Sequence, residues 1–166
     1  MGGGVTEANT ADRLLITVSL ESATSIHARA CLAAYFAELA ERFEGGFDAG
    51  MAGREIGAEF APPHGAFFVA RRAGEAVGCG GFVALDAETA EIKRVWTSPA
   101  ARGLGVARAV LLAVEAEARA RGFRRLRLDT NRALKEAQAM YLRAGYRDIE
   151  RYNDNPYAHR WFEKAI

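Results

Sequence analysis

Cysteine is scarce in this chain of 166 residues: only Cys31 and Cys79 are present, and they form no Cys-x-x-Cys pattern. That spacing gives no metal site and no disulfide framework, so both are expected as reduced, buried thiols. Histidine is nearly as rare. His27, His64 and His159 are too scattered to read as ligands, and no metal is expected. An apolar run of roughly 18 residues is missing, so no membrane span is implied. A charge excess is missing too: 22 basic against 21 acidic side chains give a formal net charge of +1. This does not suggest a dedicated nucleic-acid binder, and the local patch of Arg124, Arg125 and Arg127 reads as a solvated strand end. The first residues lack the basic region and apolar core of a secretory signal, and Met1-Gly2-Gly3-Gly4-Val5-Thr6 matches a myristoylation pattern only weakly. A cytoplasmic protein is expected, with residues 1–12 a mobile tail and residues 13–166 a single domain. Half of the side chains are hydrophobic and 26% charged, an ordinary globular balance.

Against that background one stretch stands out, Trp96-Thr-Ser-Pro-Ala-Ala-Arg-Gly-Leu-Gly-Val-Ala-Arg108. A β-branched and aromatic run ends at Ser98-Pro99, a loop bearing arginine and glycine follows, and an alanine- and leucine-rich helix begins near Gly105. Glycine lets backbone approach a ligand closely, and the first turn of a helix leaves N–H groups without internal partners. With the helix dipole, and with Arg102 and Arg108 alongside, this is a cradle for phosphate or pyrophosphate. A Walker A loop is excluded, since Gly-Lys-Ser/Thr is absent. A dinucleotide fingerprint would need a third glycine where Arg108 stands. A glycine turn without any ligand remains the plain alternative.

The elements around it follow from periodicity. Leu14 to Val18 reads as a strand. Thr24 or Ser25 caps a helix from Ile26 to Phe43, which Gly45-Gly46 stops. A short helix is expected around Arg54–Phe60. Ala66–Arg71 and Ala76–Leu85 form a hairpin, in which Gly78, Gly80 and Gly81 mark a bulge or a close backbone approach. Ala90–Thr97 is a third strand. The helix Val106–Arg121 places an i,i+4 pair of Glu115 and Arg119 away from its apolar face. Leu126–Thr130 is a strand, with Asn131 capping a helix that runs to Ala144. Tyr146–Tyr152 and His159–Ala165 close the chain as strands. The β-α-β unit puts one parallel pair into an otherwise antiparallel sheet, with the glycine loop at the carboxyl end of one member.

In these residues the chain resembles the GNAT superfamily of acyl-CoA-dependent N-acetyltransferases. Arg102-Gly103-Leu104-Gly105-Val106-Ala107 matches the Arg/Gln-x-x-Gly-x-Gly/Ala signature. Glu91-Ile92-Lys93-Arg94-Val95, Pro99 and Asn131 fit around it. Ala137 to Tyr146 is similar to the family's Ala-x-x-x-Tyr-x-x-x-Gly-Phe, with tyrosine last. The resemblance spans residues 14–166 and is sharpest from 88 to 146. It implies an α/β (α+β type) fold: a mixed, mostly antiparallel sheet with a splayed central parallel pair and helices on both faces. It also implies acetyl-CoA as acetyl donor. Its pyrophosphate would lie on the amides of Gly103, Leu104, Gly105, Val106, Ala107 and Arg108, and its pantetheine arm beside Val95, Trp96 and Thr97. Thr97 stands where the family usually has an apolar residue. Asn131 would hydrogen-bond the pantetheine, and a bulge in the strand would aim an N–H at the thioester carbonyl.

The expected activity is transfer of acetyl to a primary amine by direct attack in a ternary complex. The amine must lose a proton to attack, and the leaving thiolate needs one. By family match Tyr141 is the candidate general acid; the alternative is a core tyrosine with a satisfied hydroxyl. Glu91 is the candidate base, on the face that period-two alternation shares with Val95 and Thr97; the alternative is a solvated charge paired with Lys93 or Arg94. For the acceptor, the resemblance points to residues 35–60 and 152–158, where Glu44, Asp48, Glu55 and Asp154 could hold an amine and Tyr35, Phe47, Tyr152 and Tyr157 could wall it. Small-molecule, amino-acid and peptide amines all stay open, as does a homodimer. A non-catalytic acyl-CoA-binding or regulatory module is the competing function.

Overall fold

The computed structural model describes residues 15–48 and 57–166. The described chain runs β1 (Ile16–Leu20), α1 (Ile26–Arg42), β2 (Gly65–Arg72), β3 (Glu75–Ala84), β4 (Thr89–Thr97), α2 (Val106–Ala120), β5 (Arg125–Thr130), α3 (Lys135–Arg143), β6 (Arg147–Ile149) and β7 (Arg160–Ala165), with a 3₁₀ turn at Pro99–Ala101. The seven strands lie in the order β1-β2-β3-β4-β5-β7-β6. Every neighbouring pair is antiparallel except β4 with β5. This is the mixed, mostly antiparallel sheet that the sequence implied.

Helices cover both faces. On one, Ala28, Cys31 and Leu32 of α1 pack with Phe60, Phe67, Val69 and Cys79. On the other, Val106, Val110, Leu111, Val114 and Ala118 of α2 pack with Phe68, Phe82, Ile92, Leu126 and Leu128. The spacing of three and four that marked α2 as amphipathic is therefore the spacing of its core face. Burying one such leucine or valine contributes roughly 1.5–3 kcal/mol. Ser25 caps α1, its Oγ accepting the Ala28 N–H at 3.1 Å. Cys31 and Cys79 are free thiols in the α1 layer, both buried.

The β3 glycines mark close approach. A Cβ on Gly78 would stand 2.6 Å from Val106 Cγ1, and one on Gly80 2.8 Å from Val110 Cγ1. Their absence lets α2 settle onto the sheet. Gly81 is tighter: its Cβ would meet the Ala66 carbonyl oxygen at 2.3 Å. Backbone cannot swing aside as a flexible side chain can. Gly81→Ala is therefore expected to lower stability by about 1–3 kcal/mol. Its urea midpoint should fall with the slope unchanged; an unchanged midpoint would mean the strand gives way without strain.

Several boundaries differ from the sequence reading. β1 starts two residues later than Leu14, at Ile16. The expected tail lies outside the described residues, as do residues 54–56 of the expected short helix; residues 57–60 form a turn. Glu115 is no surface partner of Arg119. It is 4% exposed, and its carboxylate accepts from Tyr146 Oη at 3.0 Å and Lys164 Nζ at 3.1 Å. β6 ends at Ile149, well short of Tyr152. Beyond it the side chains of Asn153 and Asn155 accept the backbone N–H groups of Asn155 and Tyr157, at 3.3 and 3.0 Å. Such local bonds turn the chain away from the ladder.

Candidate active site

The parallel pair is short. β4 and β5 pair only at Thr89–Arg125, Ala90–Leu126 and Glu91–Arg127. Beyond that point β4 continues to Thr97 and β5 to Thr130 unpaired with each other, so the sheet splays open at the carboxyl ends of both strands. At the same level β4 bulges. Its register with β3 shifts between the pairs Gly81–Lys93 and Cys79–Trp96. Arg94 sits there at φ +62°, the left-handed region that few side chains adopt.

The bulge reverses the strand's parity. Before it, Ala90 and Ile92 face α2; after it, Val95 faces α2 and Trp96 faces α1. Glu91, which pairs with Val83 of the α1 face, is therefore on the side opposite Val95. The alternation that placed Glu91 with Val95 and Thr97 held only as far as Arg94.

A groove of about 1180 Å³ starts at the splay. Val95, Trp96 and Thr97 line it, then Arg102, Gly103, Gly105, Val106, Ala107 and Arg108, with Ala137 and Met140 of α3, and Ala144 just past its end, also lining it. Gly103 and Gly105 have φ of +79° and +84°, which glycine alone adopts without strain. A Cβ on either would meet nothing within 4 Å, so both glycines face open space. The first helical bond of this turn is Ala109 N–H to Gly105 O at 3.0 Å. The N–H groups of Val106, Ala107 and Arg108 precede it and have no place in the helical ladder, which suits an anion. Leu104 packs into the core beneath. Two ion pairs from α1 tie the banks together: Glu38 holds Arg102, and Arg42 holds Glu136 of α3.

The Acetyltransferase (GNAT) family profile matches residues 32–146. The chain belongs to the GNAT acetyltransferase family. Among its relatives, an IAA acetyltransferase of Azospirillum brasilense is 41% identical over 90 residues, and the uncharacterized N-acetyltransferase YjgM of Escherichia coli (strain K12) 35% over 94 residues. These stretches cover 53% and 55% of this chain, and 58% and 56% of the respective relatives, so the chain spans little more than half the length of the curated relatives it matches. In fold it is similar to a GNAT family acetyltransferase from Elizabethkingia anophelis with acetyl-CoA bound: TM-score 0.65, 16% identity, covering 92% of this chain and 99% of that one. It is likewise similar to an acetyltransferase of GNAT family from Staphylococcus aureus, with TM-score 0.77 and 16% identity over 90% of this chain and 99% of that one.

Within this GNAT fold Tyr141 of α3 is 5% exposed, its ring between Tyr146 and Phe162. Its hydroxyl has no hydrogen-bond partner among the described residues. Burial first, then the fields of Tyr35 and Asp129, raise its pKa above the ordinary tyrosine value. The phenol thus stays protonated through the neutral range. Tyr35, on α1, lines the groove; burial pushes it up to about 12. Glu91 is 8% exposed, accepts from Tyr152 Oη at 2.6 Å and lies 3.7 Å from Lys93.

Other expected residues fall elsewhere. The Asn131 amide serves the protein itself: Nδ2 donates to Tyr157 O at 2.8 Å and Oδ1 accepts the Ala133 N–H at 2.9 Å. It shapes the turn before α3, whose first residue, Lys135, follows Leu134 with no side-chain cap. It lines a smaller hollow rather than the groove. Glu44 and Asp154 are 88% and 100% exposed and paired with Arg132 and Arg151. Asp48 is exposed, and Glu55 lies outside the described residues. Phe47 and Tyr157 meet with tilted rings 4.8 Å apart, joined by Phe36 and Phe43. Tyr152 lies under the Arg127 guanidinium at 5.3 Å. The sequence reading gave Asp129, Asn153 and Asn155 no role at this site, weighing Asp129 only for a dinucleotide fingerprint that it set aside. The signal for Asp129 was available: Leu126, Leu128 and Thr130 are buried, which puts Arg127 and Asp129 together on the opposite face, at the carboxyl end of the strand.

Proposed function

We propose that this GNAT family member transfers an acetyl group from acetyl-CoA to a primary amine, by direct attack in a ternary complex. The observation that carries this is the coincidence of three features at one point: the splay after Glu91, the Arg94 bulge, and the groove leading to the Gly103–Arg108 loop. The residues present fit acetyl-CoA. The loop's first-turn amides suit its pyrophosphate, and the unpaired strand edge of Val95 to Thr97 can pair with an extended pantetheine arm as an added strand would. Bound there, acetyl-CoA supplies the acetyl group as an activated thioester.

The protein supplies position and protons. A backbone N–H freed from the ladder by the bulge at Arg94 would serve the carbonyl oxygen on which charge develops. Tyr141 holds its phenolic proton for the leaving sulfur. Thiol release on a panel of primary amines, with acetyl-CoA as donor, tests the reading. Release is expected only when an amine is present, together with an acetylated product. Acetyl-CoA binding without release on any amine would favour a non-catalytic acyl-CoA-binding module instead.

A further inference from the structure

Beside the groove lies a second hollow, of about 550 Å³. One backbone turn and the start of α3 stand between the two. Asn131, Arg132 and Lys135 line the hollow, whereas Leu134 and Glu136 line the groove. Arg42 of α1 lines both; its guanidinium holds the Ala133 carbonyl at 2.8 Å and the Glu136 carboxylate. His159 adds a further wall, fixed by its N–H to Thr130 O at 3.0 Å. Asn131 directly follows Thr130, the last residue of β5, so the hollow lies at the carboxyl end of one strand of the splayed pair.

The polar groups of this hollow divide into those already used and those left over. Both ends of the Asn131 amide are bonded within the protein, and Arg42 is held by Glu136 and Ala133. Three groups remain. Lys135 is exposed and has no ion-pair partner among the described residues. Arg132 meets Glu44 at 3.0 Å, but the two side chains are 69% and 88% exposed, and so open a pair exchanges readily. His159 Nδ1 accepts the Arg132 N–H at 3.1 Å, which leaves Nε2 as the N–H of the ring, pointing to no partner among the described residues.

All three are donors, and the one charge left uncancelled is a single positive one, on Lys135. An anion suits such a set, and a singly charged one suits it best. A phosphate carries close to two charges and would leave one unmet. A carboxylate carries one, and its two oxygens match the planar fork of Arg132.

We propose that this hollow seats a carboxylate of the acceptor, which makes the acceptor an amine carried several bonds away from a carboxylate. This rests on the acetyltransferase reading. Lys135 supplies the charge, His159 Nε2 a neutral donor, and Arg132 a paired contact once Glu44 swings out into solvent. Glu44, expected to hold the amine, instead guards the guanidinium that the carboxylate takes over. The spacing follows from the turn between hollow and groove, which the acceptor must reach around for its amine to meet the thioester at the splay.

The test compares γ-aminobutyrate with butylamine and ε-aminocaproate with hexylamine, since each alkylamine matches its chain without the charge. With acetyl-CoA saturating, at least one aminocarboxylate is expected to exceed its alkylamine tenfold or more in kcat/KM. Lys135→Gln should cut that preference about tenfold, through KM rather than kcat, and Lys135→Arg should keep it. A second readout needs no turnover. Amide NMR spectra of the wild type titrated with butyrate should shift at Arg132, Ala133 and His159, and those of Lys135→Gln should not. A wild type that acetylates the alkylamines as well as the aminocarboxylates overturns this proposal alone, as does a preference that survives Lys135→Gln. Equal losses on both kinds of amine in Lys135→Gln would make Lys135 a support of the groove and not an anion site. Butyrate shifts in a wild type that turns over no amine would overturn the transferase reading, and the acceptor's place here with it.

Discussion

Tyr141→Phe is expected to lower kcat by about 100- to 1000-fold, within the usual range for one general acid, while acetyl-CoA affinity stays where it was. The argument rests on what the hydroxyl lacks. A tyrosine kept in a core for structure normally has its hydroxyl bonded, as Tyr146 does to Glu115 at 3.0 Å. The Tyr141 side chain is buried to a similar degree, 5% exposed against 3%, yet its hydroxyl has no partner among the described residues. Its removal takes away no hydrogen bond, so the thermal midpoint of Tyr141→Phe should not fall. Tyr146→Phe is the contrast: it strands the Glu115 carboxylate, 4% exposed, with Lys164 alone, and its midpoint should drop. Steady-state kinetics, calorimetry and thermal melts on the two variants separate the cases. A Tyr141→Phe chain that melts earlier and turns over normally would return Tyr141 to the core.

Gly105→Val is expected to weaken acetyl-CoA binding at least 100-fold while the chain still folds. At φ +84° a β-branched residue is strained by about 1–2 kcal/mol, yet a Cβ there meets nothing within 4 Å. The added side chain therefore goes into open space beside the loop amides, where an anion would lie. Gly122→Val is the matched control. Gly122, past the C-terminal end of α2, has φ +92° and equally open surroundings, but it is remote from the groove. The two variants should lose similar stability, and only Gly105→Val should lose affinity. Equal affinities in the two would remove the pyrophosphate from this loop.

What could be read in the sequence was local. The strand–glycine loop–helix unit, the β3 glycines and the α2 stripe all depend on residues a few positions apart, and all lie where the pattern put them. What could not be read depends on breaks in period or on distant partners. The Arg94 bulge inserts one residue and flips the faces of Val95 and Trp96, so counting in twos from Glu91 fails beyond it. Glu115 looked like a surface partner of Arg119 until β7 and Tyr146 closed over it. Asn131 was read as a pantetheine contact; that its amide donates to the Tyr157 carbonyl depends on a partner 26 residues downstream. The Asn153 and Asn155 amides that hold the Asp129 carboxylate lie 24 and 26 residues downstream. Their approach needs β7 inserted between β5 and β6, which no short-range pattern announces.

The central claim is that the groove running from the β4–β5 splay to the Gly103–Arg108 loop holds acetyl-CoA. Isothermal titration calorimetry of the wild-type chain with acetyl-CoA, and then with desulfo-CoA, tests it most directly. Saturable binding of both, with each displacing the other, is the result expected, since the loop engages the pyrophosphate and needs no thioester. No binding of either would mean that the loop is a turn and no more, and the account of this site would fall.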